Sequence, residues 1–382
     1  MRIYLVGGAV RDRLLGLPVR DRDWVVVGAT EAEMLQQGFR RADSDFPVFL
    51  HPQSGEEYAL ARRETKTGPG YKGFSIEAGP EITLEQDLIR RDLTINAIAE
   101  DEAGNLIDPF AGQQDLDAGV LRHVSPAFVE DPLRLLRVAR LAARLGRWGF
   151  RLSHTTHGLM QRMAASEELT TLHGERLWQE MKQALAEDQP WCFFQVLQRC
   201  GALAKLLPAL DRVMENPNKH ADAKDCPTVA ALKRAVQQDE DTKVRFVAAF
   251  FAAAEQAGDS GKAVGDLRAE KEYLELLHLL LRLAPVYRDA AAQNPQRVLD
   301  LFDGTRALHS ASRLTQFLAA ADALWPALNQ TRGFLLQALE SVTAVTPNAL
   351  QHPGVRGAEL GRMLRQERLK VVAALAEKAG TG

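Results

Sequence analysis

The sequence has few cysteines, no long apolar run and no excess of positive charge. Its 382 residues include three cysteines, Cys192, Cys200 and Cys226, and no CxxC pair. This usage indicates a reducing compartment and no zinc site. No apolar stretch approaches the roughly 18 residues of a membrane span, and no charged leader precedes the first apolar segment. We therefore expect a soluble, cytoplasmic protein.

The charge balance excludes a chain that is basic throughout. There are 47 Lys and Arg against 50 Asp and Glu, a formal net charge of −3. A nucleic-acid surface would therefore have to be a local patch. Residues 133–182 supply one candidate, with nine Lys or Arg, four Glu and no Asp.

The chain changes character near residue 125. Before this point, short runs typical of strands alternate with turns; after it, Leu/Ala/Arg-rich segments follow a helical period. The pattern predicts an α+β head at residues 1–125, a helical neck at 126–212 and a helical body and tail at 213–382. A polar, proline-bearing linker is expected at 214–227.

The most informative segment is LVGGAVRDRLLGLPVRDRD, residues 5–23. An apolar strand leads into Gly7 and Gly8, which allow backbone N–H groups to approach a phosphate at a helix N-terminus. Asp21 and Asp23 are two residues apart, so on a strand they point the same way. Adjacent carboxylates repel unless a cation lies between them, and a divalent cation is typically shared with substrate phosphates. The segment predicts a metal-dependent nucleotidyl-transfer site.

The next segment supplies candidates for a third carboxylate. Glu57, Glu56 and Glu64 all remain possible from the sequence. Residues 65–73, rich in Gly, Lys and Thr, are expected to form a mobile loop near the site.

Two further motifs carry arginine beside aspartate. In RRDLTINA (90–97), Arg91 is suited to binding triphosphate oxygens and Asp92 to accepting from a ribose hydroxyl. A single helix is expected to run through this motif, over residues 84–99.

The second of these motifs is EDPLRLLRVAR (130–140), where Asp131 is expected at a helix N-cap and Pro132 in the first turn. Asp131 and Arg134 suit an amino group beside an unprotonated ring nitrogen, a pattern that cytosine and adenine share. Uracil and guanine present the reverse pattern and would leave both side chains unpaired. An arginine stripe continues along the helix at Arg137, Arg140 and Arg144.

In this order, the motifs resemble those of the bacterial class II tRNA nucleotidyltransferases, the CCA-adding enzymes. LVGGAVRDRLLG with DRD, RRDLTINA, IDPFAGQQDL, EDPLRLLRVAR and LHGERLWQEMKQAL carry the resemblance, from about residue 3 to 185. It implies a polymerase-β-like head on an all-α neck, body and tail. It also implies template-independent addition of CCA to the tRNA 3′ end from CTP and ATP, with Mg²⁺ as cofactor and no membrane or protein partner.

The resemblance also implies roles for individual residues. Asp21 and Asp23 would be catalytic and hold Mg²⁺, and Glu175 and Arg176 would support the base-reading helix from the neck. The nucleotide would be bound by Gly8, Arg11, Arg91, Asp131, Arg134, Arg137 and Arg140.

The chain departs from some relatives in lacking a His-Asp dipeptide, the mark of a phosphohydrolase module. Residues 244–251, where it is sought, are apolar apart from Arg245, so we expect no phosphatase activity. The alternatives are a bacterial poly(A) polymerase, an enzyme adding only the terminal A, and an RNA-binding protein with an inactive head. The first would be expected to carry a long basic C-terminal extension, the second a shortened loop at 65–73, and the third a damaged Asp21/Asp23 pair.

Overall fold

The computed structural model describes residues 1–43, 46–68, 73–172, 174–215, 226–238, 241–350 and 356–380. The chain forms two compact units, Met1–Leu206 and Leu207–Gly382. The three-part division expected at residues 125 and 212 stays a prediction. Most of the expected linker at 214–227 lies outside the described residues.

The first unit is built on a mixed sheet with the strand order β3-β4-β5-β2-β1-β8-β9. Within it β2 and β5 are parallel, and the other neighbours are antiparallel. A hairpin (β6, β7) and a short parallel pair (β10, β11) lie outside this sheet. The strands are β1 (Arg2–Val6), β2 (Asp23–Val27), β3 (Arg40–Arg41), β4 (Val48–Leu50), β5 (Glu57–Leu60), β6 (Arg62–Lys66), β7 (Phe74–Ala78), β8 (Ala99–Asp101), β9 (Leu106–Ile107), β10 (Val120–Leu121) and β11 (Arg151–Leu152).

Helices of the first unit either flank the sheet or follow it. They are α1 (Gly8–Leu14), α2 (Glu31–Gln36), α3 (Leu84–Leu88), α4 (Gly112–Asp117), α5 (Leu133–Leu145), α6 (His154–Ala165), α7 (Gly174–Ala186), α8 (Trp191–Arg199) and α9 (Ala202–Leu206). Short 3₁₀ turns include Thr94–Asn96 and Pro126–Glu130. Helix α5 packs against α7 and α8.

The described part of the second unit is helical. Its helices are α10 (Pro208–Met214), α11 (Pro227–Gln237), α12 (Thr242–Ala257), α13 (Ser260–Val264), α14 (Lys271–Ala290), α15 (Pro295–Thr305), α16 (Ala311–Leu324), α17 (Thr331–Thr343) and α18 (Gly357–Gly380). An α+β unit followed by helices confirms the predicted fold class. Among the described helices, none combines the length and the hydropathy that crossing a bilayer requires.

The sheet is covered on both faces, which explains its apolar central strands. In β2, Val25 and Val27 join one buried cluster, whereas Val26 joins the other. This alternation is the two-residue period of a strand. Because β2 lies inside the sheet, its register fixes which way every one of its side chains points.

The single helix predicted over residues 84–99 is wrong. Helix α3 ends at Leu88, and a 3₁₀ turn and strand β8 follow. The Asp92 side chain accepts hydrogen bonds from the Leu93 N–H (2.8 Å) and from Asn96 Nδ2 (2.9 Å). Such local side-chain hydrogen bonds compete with the backbone hydrogen bonds of a helix. Leu93 and Ile95, two residues apart, are both wholly buried, which is not the spacing of one apolar helical face.

The hairpin was missed by the sequence analysis. The loop expected at 65–73 begins inside β6, which pairs with β7 from Arg62↔Ala78 to Lys66↔Phe74. The signal was the apolar–polar alternation of FSIEA (74–78). Residues 69–72, at the centre of the expected loop, lie outside the described residues.

Candidate active site

The site begins at the turn between β1 and α1. Gly7 has φ 73° and ψ −133°, a conformation that residues with a Cβ rarely adopt. A Cβ at Gly7 would also lie 3.0 Å from Nη1 of Arg91. Glycine is therefore needed here both for the turn and for the close approach of an arginine.

A cleft of about 840 Å³ opens at this turn. The nine residues to which the resemblance assigns catalytic or nucleotide-binding roles all line it: Gly8, Arg11, Asp21, Asp23, Arg91, Asp131, Arg134, Arg137 and Arg140. Among the described residues, ten arginines and six carboxylates line the cleft, an excess of four positive charges in a chain of net charge −3. Such a cleft is suited to a polyanion.

Asp21 and Asp23 are exposed carboxylates of the cleft. Asp23 is the first residue of β2, whereas Asp21 lies in the preceding loop and not on the strand as expected. Within the described part of the chain, neither side chain has a hydrogen bond or an ion pair. These two unengaged carboxylates lie in the same cleft as the Gly7–Gly8 turn. Carboxylate oxygens are the ligands that Mg²⁺ prefers, so the two side chains fit a divalent ion.

The sheet register bears on the third carboxylate. Glu57 of β5 is the Cα partner of Asp23 in the parallel pair, and residues in register share a face of the sheet. Glu56 instead accepts from Trp24 Nε1 at 3.1 Å. Glu64 lines the cleft, which Glu57 does not, but its Oε1 accepts from two arginines at 2.9 Å. We therefore favour Glu57, which is exposed and lies next to Asp23.

Asp92 joins two of the predicted motifs. Its Oδ2 accepts from Nε of Arg137 at 2.8 Å, and Oδ1 accepts from Asn96. Asn96 in turn accepts from Nη1 of Arg11 at 2.7 Å. Burial alone would raise the pKa of Asp92, but Arg137 and Asn96 outweigh it and hold that pKa far below its usual value. With three of about four acceptor positions engaged, the Asp92 carboxylate mainly fixes Arg137.

A second buried carboxylate, Asp12, was not foreseen. Its Oδ1 accepts from Nε (2.9 Å) and Nη2 (2.7 Å) of Arg11, and its Oδ2 accepts from Arg144 at 2.6 Å. Arg11 and Asp12 are both almost fully buried. Asp12 therefore links α1 to the arginine stripe of α5.

Helix α7 contacts the arginine stripe of α5 through Glu180, a residue that the sequence did not single out; the supporting role of Glu175 and Arg176 stays a prediction. Arg140 donates to Oε2 of Glu180 on α7 at 2.6 Å. Arg176 lines the cleft, while Glu175 is exposed and outside its lining. The sequence feature that could have indicated Glu180 is its position four residues after Arg176, because residues four apart lie on the same face of a helix.

Asp131 and Arg134 are each held by one hydrogen bond. Asp131 Oδ1 accepts from the Leu133 N–H at 3.0 Å, and Arg134 Nη1 donates to the Ala127 carbonyl at 2.9 Å. The helix begins one residue later than expected, with Pro132 at the N-cap position. Within the described residues, Oδ2 of Asp131 and Nη2 of Arg134 form no hydrogen bond, so each side chain is oriented and still has an atom available.

The cleft also has an apolar wall, which sequence reasoning missed. Phe46, Phe74 and Ile76 line it, and the Arg62 guanidinium lies 4.4 Å from the centre of the Phe46 ring. Ile76 and Phe74 are two residues apart on β7, so they share a face.

Comparison with known proteins places this architecture in a class. Residues 3–122 match the family described as "Poly A polymerase head domain", and residues 149–214 match the one described as "Probable RNA and SrmB- binding site of polymerase A". Together with the mixed sheet and the carboxylate cleft, these matches define a nucleotidyltransferase with a polymerase-β-like head.

Full-length relatives narrow the class. The Multifunctional CCA protein of Thioalkalivibrio sulfidiphilus is 43% identical over 408 residues, which cover 100% of both chains. The CCA-adding enzyme of Pseudomonas putida is 46% identical, with 98% of this chain and 99% of that one covered. The chain belongs to the CCA-adding enzyme family, which confirms the resemblance drawn from its motifs.

A solved structure supports the same fold. The Thermotoga maritima CCA-adding enzyme complexed with tRNA-CCA superposes with a TM-score of 0.69 at 21% identity, covering 99% of this chain and 91% of that one.

Proposed function

We propose that the protein adds or repairs the 3′-terminal CCA of tRNA, without a nucleic-acid template, from CTP and ATP. The tRNA 3′-hydroxyl attacks the α-phosphate, a new phosphodiester bond forms, and the bond to the β-phosphate breaks to release pyrophosphate. The observation that carries the proposal is the cleft in which unengaged Asp21 and Asp23 meet the arginine face of α5. Support also comes from relatives solved as complexes with tRNA-CCA, ATP and CTP.

Members of this family use a divalent metal, and we assign Mg²⁺. Asp21 and Asp23 would hold it together with phosphate oxygens of the nucleotide. The described residues bring no third His, Cys, Asp or Glu into a metal-binding group, so Glu57, the register partner of Asp23, would have to turn towards the ion to serve as a third carboxylate. When bound, Mg²⁺ lowers the pKa of the attacking hydroxyl and neutralises charge on the phosphates. The exposed, unpaired state of both aspartates supports this assignment, because no arginine of the described residues has to be displaced first.

The nucleotide is held from two sides. The backbone N–H of Gly8 and the guanidinium groups of Arg91, Arg137 and Arg140 bind the triphosphate and sugar end. Arg11 donates hydrogen bonds to Asp12 and Asn96, which fix its guanidinium group in the lining of the cleft.

The base is read by Asp131 and Arg134. The available Oδ2 of Asp131 accepts from the exocyclic amino group, and Arg134 donates to the neighbouring ring nitrogen. Cytosine and adenine satisfy both atoms, whereas uracil and guanine leave buried polar groups unpaired, which can discriminate by orders of magnitude. One residue pair thus accepts both CTP and ATP.

The tRNA is bound beyond the head. The match of residues 149–214 to an RNA-binding family description supports backbone contacts along this stretch. Residues 356–378, with six Lys or Arg and three Glu, are a further candidate for the tRNA elbow. We place this activity in the cytoplasm, where tRNA is matured.

The test uses radiolabelled CTP and ATP with a tRNA that ends before CCA. Three additions followed by a stop support CCA addition, and a long A tract indicates a poly(A) polymerase. A single A added only to tRNA ending in CC indicates an A-adding enzyme. No incorporation indicates an inactive head.

The same preparation tests the expected lack of phosphatase activity. Helix α12 covers the segment 244–251, where the His-Asp pair is absent. Metal-dependent hydrolysis of a 2′,3′-cyclic phosphate would contradict this expectation.

A further inference from the structure

A fully buried carboxylate lies behind the cleft wall, on Asp87 of α3. Its side chain has no solvent exposure and does not line the cleft. Oδ1 accepts from Nε (3.1 Å) and Nη2 (2.8 Å) of Arg90 and from the Arg62 backbone N–H at 3.3 Å. Oδ2 accepts from Nη2 of Arg91 at 3.2 Å. One carboxylate thus holds two consecutive arginines that do line the cleft.

The carboxylate is ionised in this position. Burial by itself raises the pKa of Asp87, but the positive charges of Arg90 and Arg91 outweigh burial and lower it. A charged acceptor compensates both guanidinium groups at once. Arg90 has Glu64 as a second carboxylate partner, whereas Arg91 is held by Asp87. Asparagine, the neutral isostere of Asp87, would put an amide N–H₂ or one weaker acceptor in the same place.

The contact with Asp87 sets the direction of Arg91. While Nη2 is bonded to Asp87, Nη1 lies 3.0 Å from the point that a Cβ of Gly7 would occupy. Arg91 Nε is buried and has no hydrogen-bond partner within the described residues. Asp87 is therefore the described side chain that anchors Arg91, and it anchors it over the glycine turn.

We propose that Asp87 is a positioning residue for the triphosphate: it aims Arg91, with Arg90 beside it, at the phosphates bound over the Gly7–Gly8 turn. This inference rests on the proposed function. Asp87 acts through the arginines and does not touch the nucleotide itself. Because it also binds the first N–H of β6, it fixes the base of the hairpin to the same arginines.

The test compares Asp87→Asn with Glu85→Gln. Glu85 is an exposed acidic residue of the same helix, so its substitution removes the same charge and leaves the arginines in place. In Asp87→Asn we expect the KM for CTP and for ATP to rise by about tenfold, with a much smaller change in kcat. The affinity for CMP, which lacks the β- and γ-phosphates, should stay at the wild-type value. Glu85→Gln should behave as wild type.

Two further variants separate positioning from a general structural role. If Asp87 acts through Arg91, then Asp87→Asn combined with Arg91→Met should have the KM of Arg91→Met alone. Asp87→Glu keeps the charge and should give a KM between those of the wild type and Asp87→Asn. If Asp87→Asn does not fold, Asp87→Glu is compared with the wild type in its place. Equal loss of CTP and CMP binding, or a KM unchanged by either Asp87 substitution, would overturn the inference. A wild-type protein that fails to add CCA would instead overturn the proposed function.

Discussion

Replacing Asp21 or Asp23 by asparagine should abolish nucleotide incorporation and leave folding untouched. Both side chains are exposed and, within the described residues, have neither a hydrogen bond nor an ion pair. Replacing either carboxylate by an amide of the same shape therefore removes no contact that stabilises the folded protein.

The magnitudes follow from this exposure. Substitution at an exposed site with no partner changes the free energy of unfolding by at most about 0.5 kcal/mol. For a unit of this size that is a shift of less than about 2 °C in Tm. A bound ligand at a hundred times its Kd stabilises by about 2.7 kcal/mol, or roughly 5–10 °C. The wild type should show this rise with Mg²⁺ and CTP, and the two variants should show much less of it.

The assay is a thermal melt of each variant, with and without Mg²⁺ and CTP, beside single-turnover incorporation. Asp117→Asn is the matched control, because Asp117 is an exposed aspartate of the head outside the cleft lining. It should keep both the activity and the ligand-induced rise. If Asp23→Asn lowered Tm by more than about 4 °C without ligand, or still incorporated nucleotides at the wild-type rate, the metal assignment would be refuted.

Three other expectations can be checked separately. Glu57→Gln should lower kcat and raise the Mg²⁺ concentration needed for half-maximal rate, whereas Glu56→Gln, which alters a contact with a tryptophan, should not change either quantity. Asp131→Ala and Arg134→Ala should each raise UTP incorporation relative to CTP by about tenfold or more in competition assays, because the pair penalises the wrong base edge; unchanged selectivity would exclude base reading by that residue. Asp92→Asn should lower the free energy of unfolding by about 1.5–3 kcal/mol at pH 7, the contribution of a hydrogen bond to a charged group. Because the pKa of Asp92 is lowered in the folded protein, this stabilisation is present above the ordinary pKa of about 4 and is lost as the pH falls below it. The difference between the denaturation midpoints of wild type and Asp92→Asn should therefore narrow in acid, and a constant difference would contradict the sign.

The parts of the site that sequence reasoning found are those whose chemistry is local in the chain. Gly7, Gly8, Asp21 and Asp23 lie within 17 residues of each other, so a strand and a turn are enough to bring them together. The arginines of α5 share a face because of the helical period. Each of these groups could be placed without knowing the fold.

The parts that were missed depend on contacts between distant segments. Asp12 meets Arg144 across 132 positions of sequence, and Arg140 meets Glu180 across 40. No spacing rule predicts such pairs. The prediction of a helix through RRDLTINA was wrong for a related reason. The Asp92 side chain accepts hydrogen bonds from the Leu93 N–H and from Arg137 of α5, and hydrophobic periodicity does not reveal such bonds.

The pairing of β2 with both of its neighbours makes the direction of the Asp23 side chain depend on a count of residues. Asp23 faces the same side as Val25 and Val27 because they are separated by even steps, and Glu57 is matched to it across the parallel pair. Deleting one residue from 24–27 would reverse either the aspartate or the apolar residues that follow it. Insertions and deletions are therefore better placed in the loops, since an odd change of length within this strand would separate Asp23, the proposed metal ligand, from the face that it shares with Glu57.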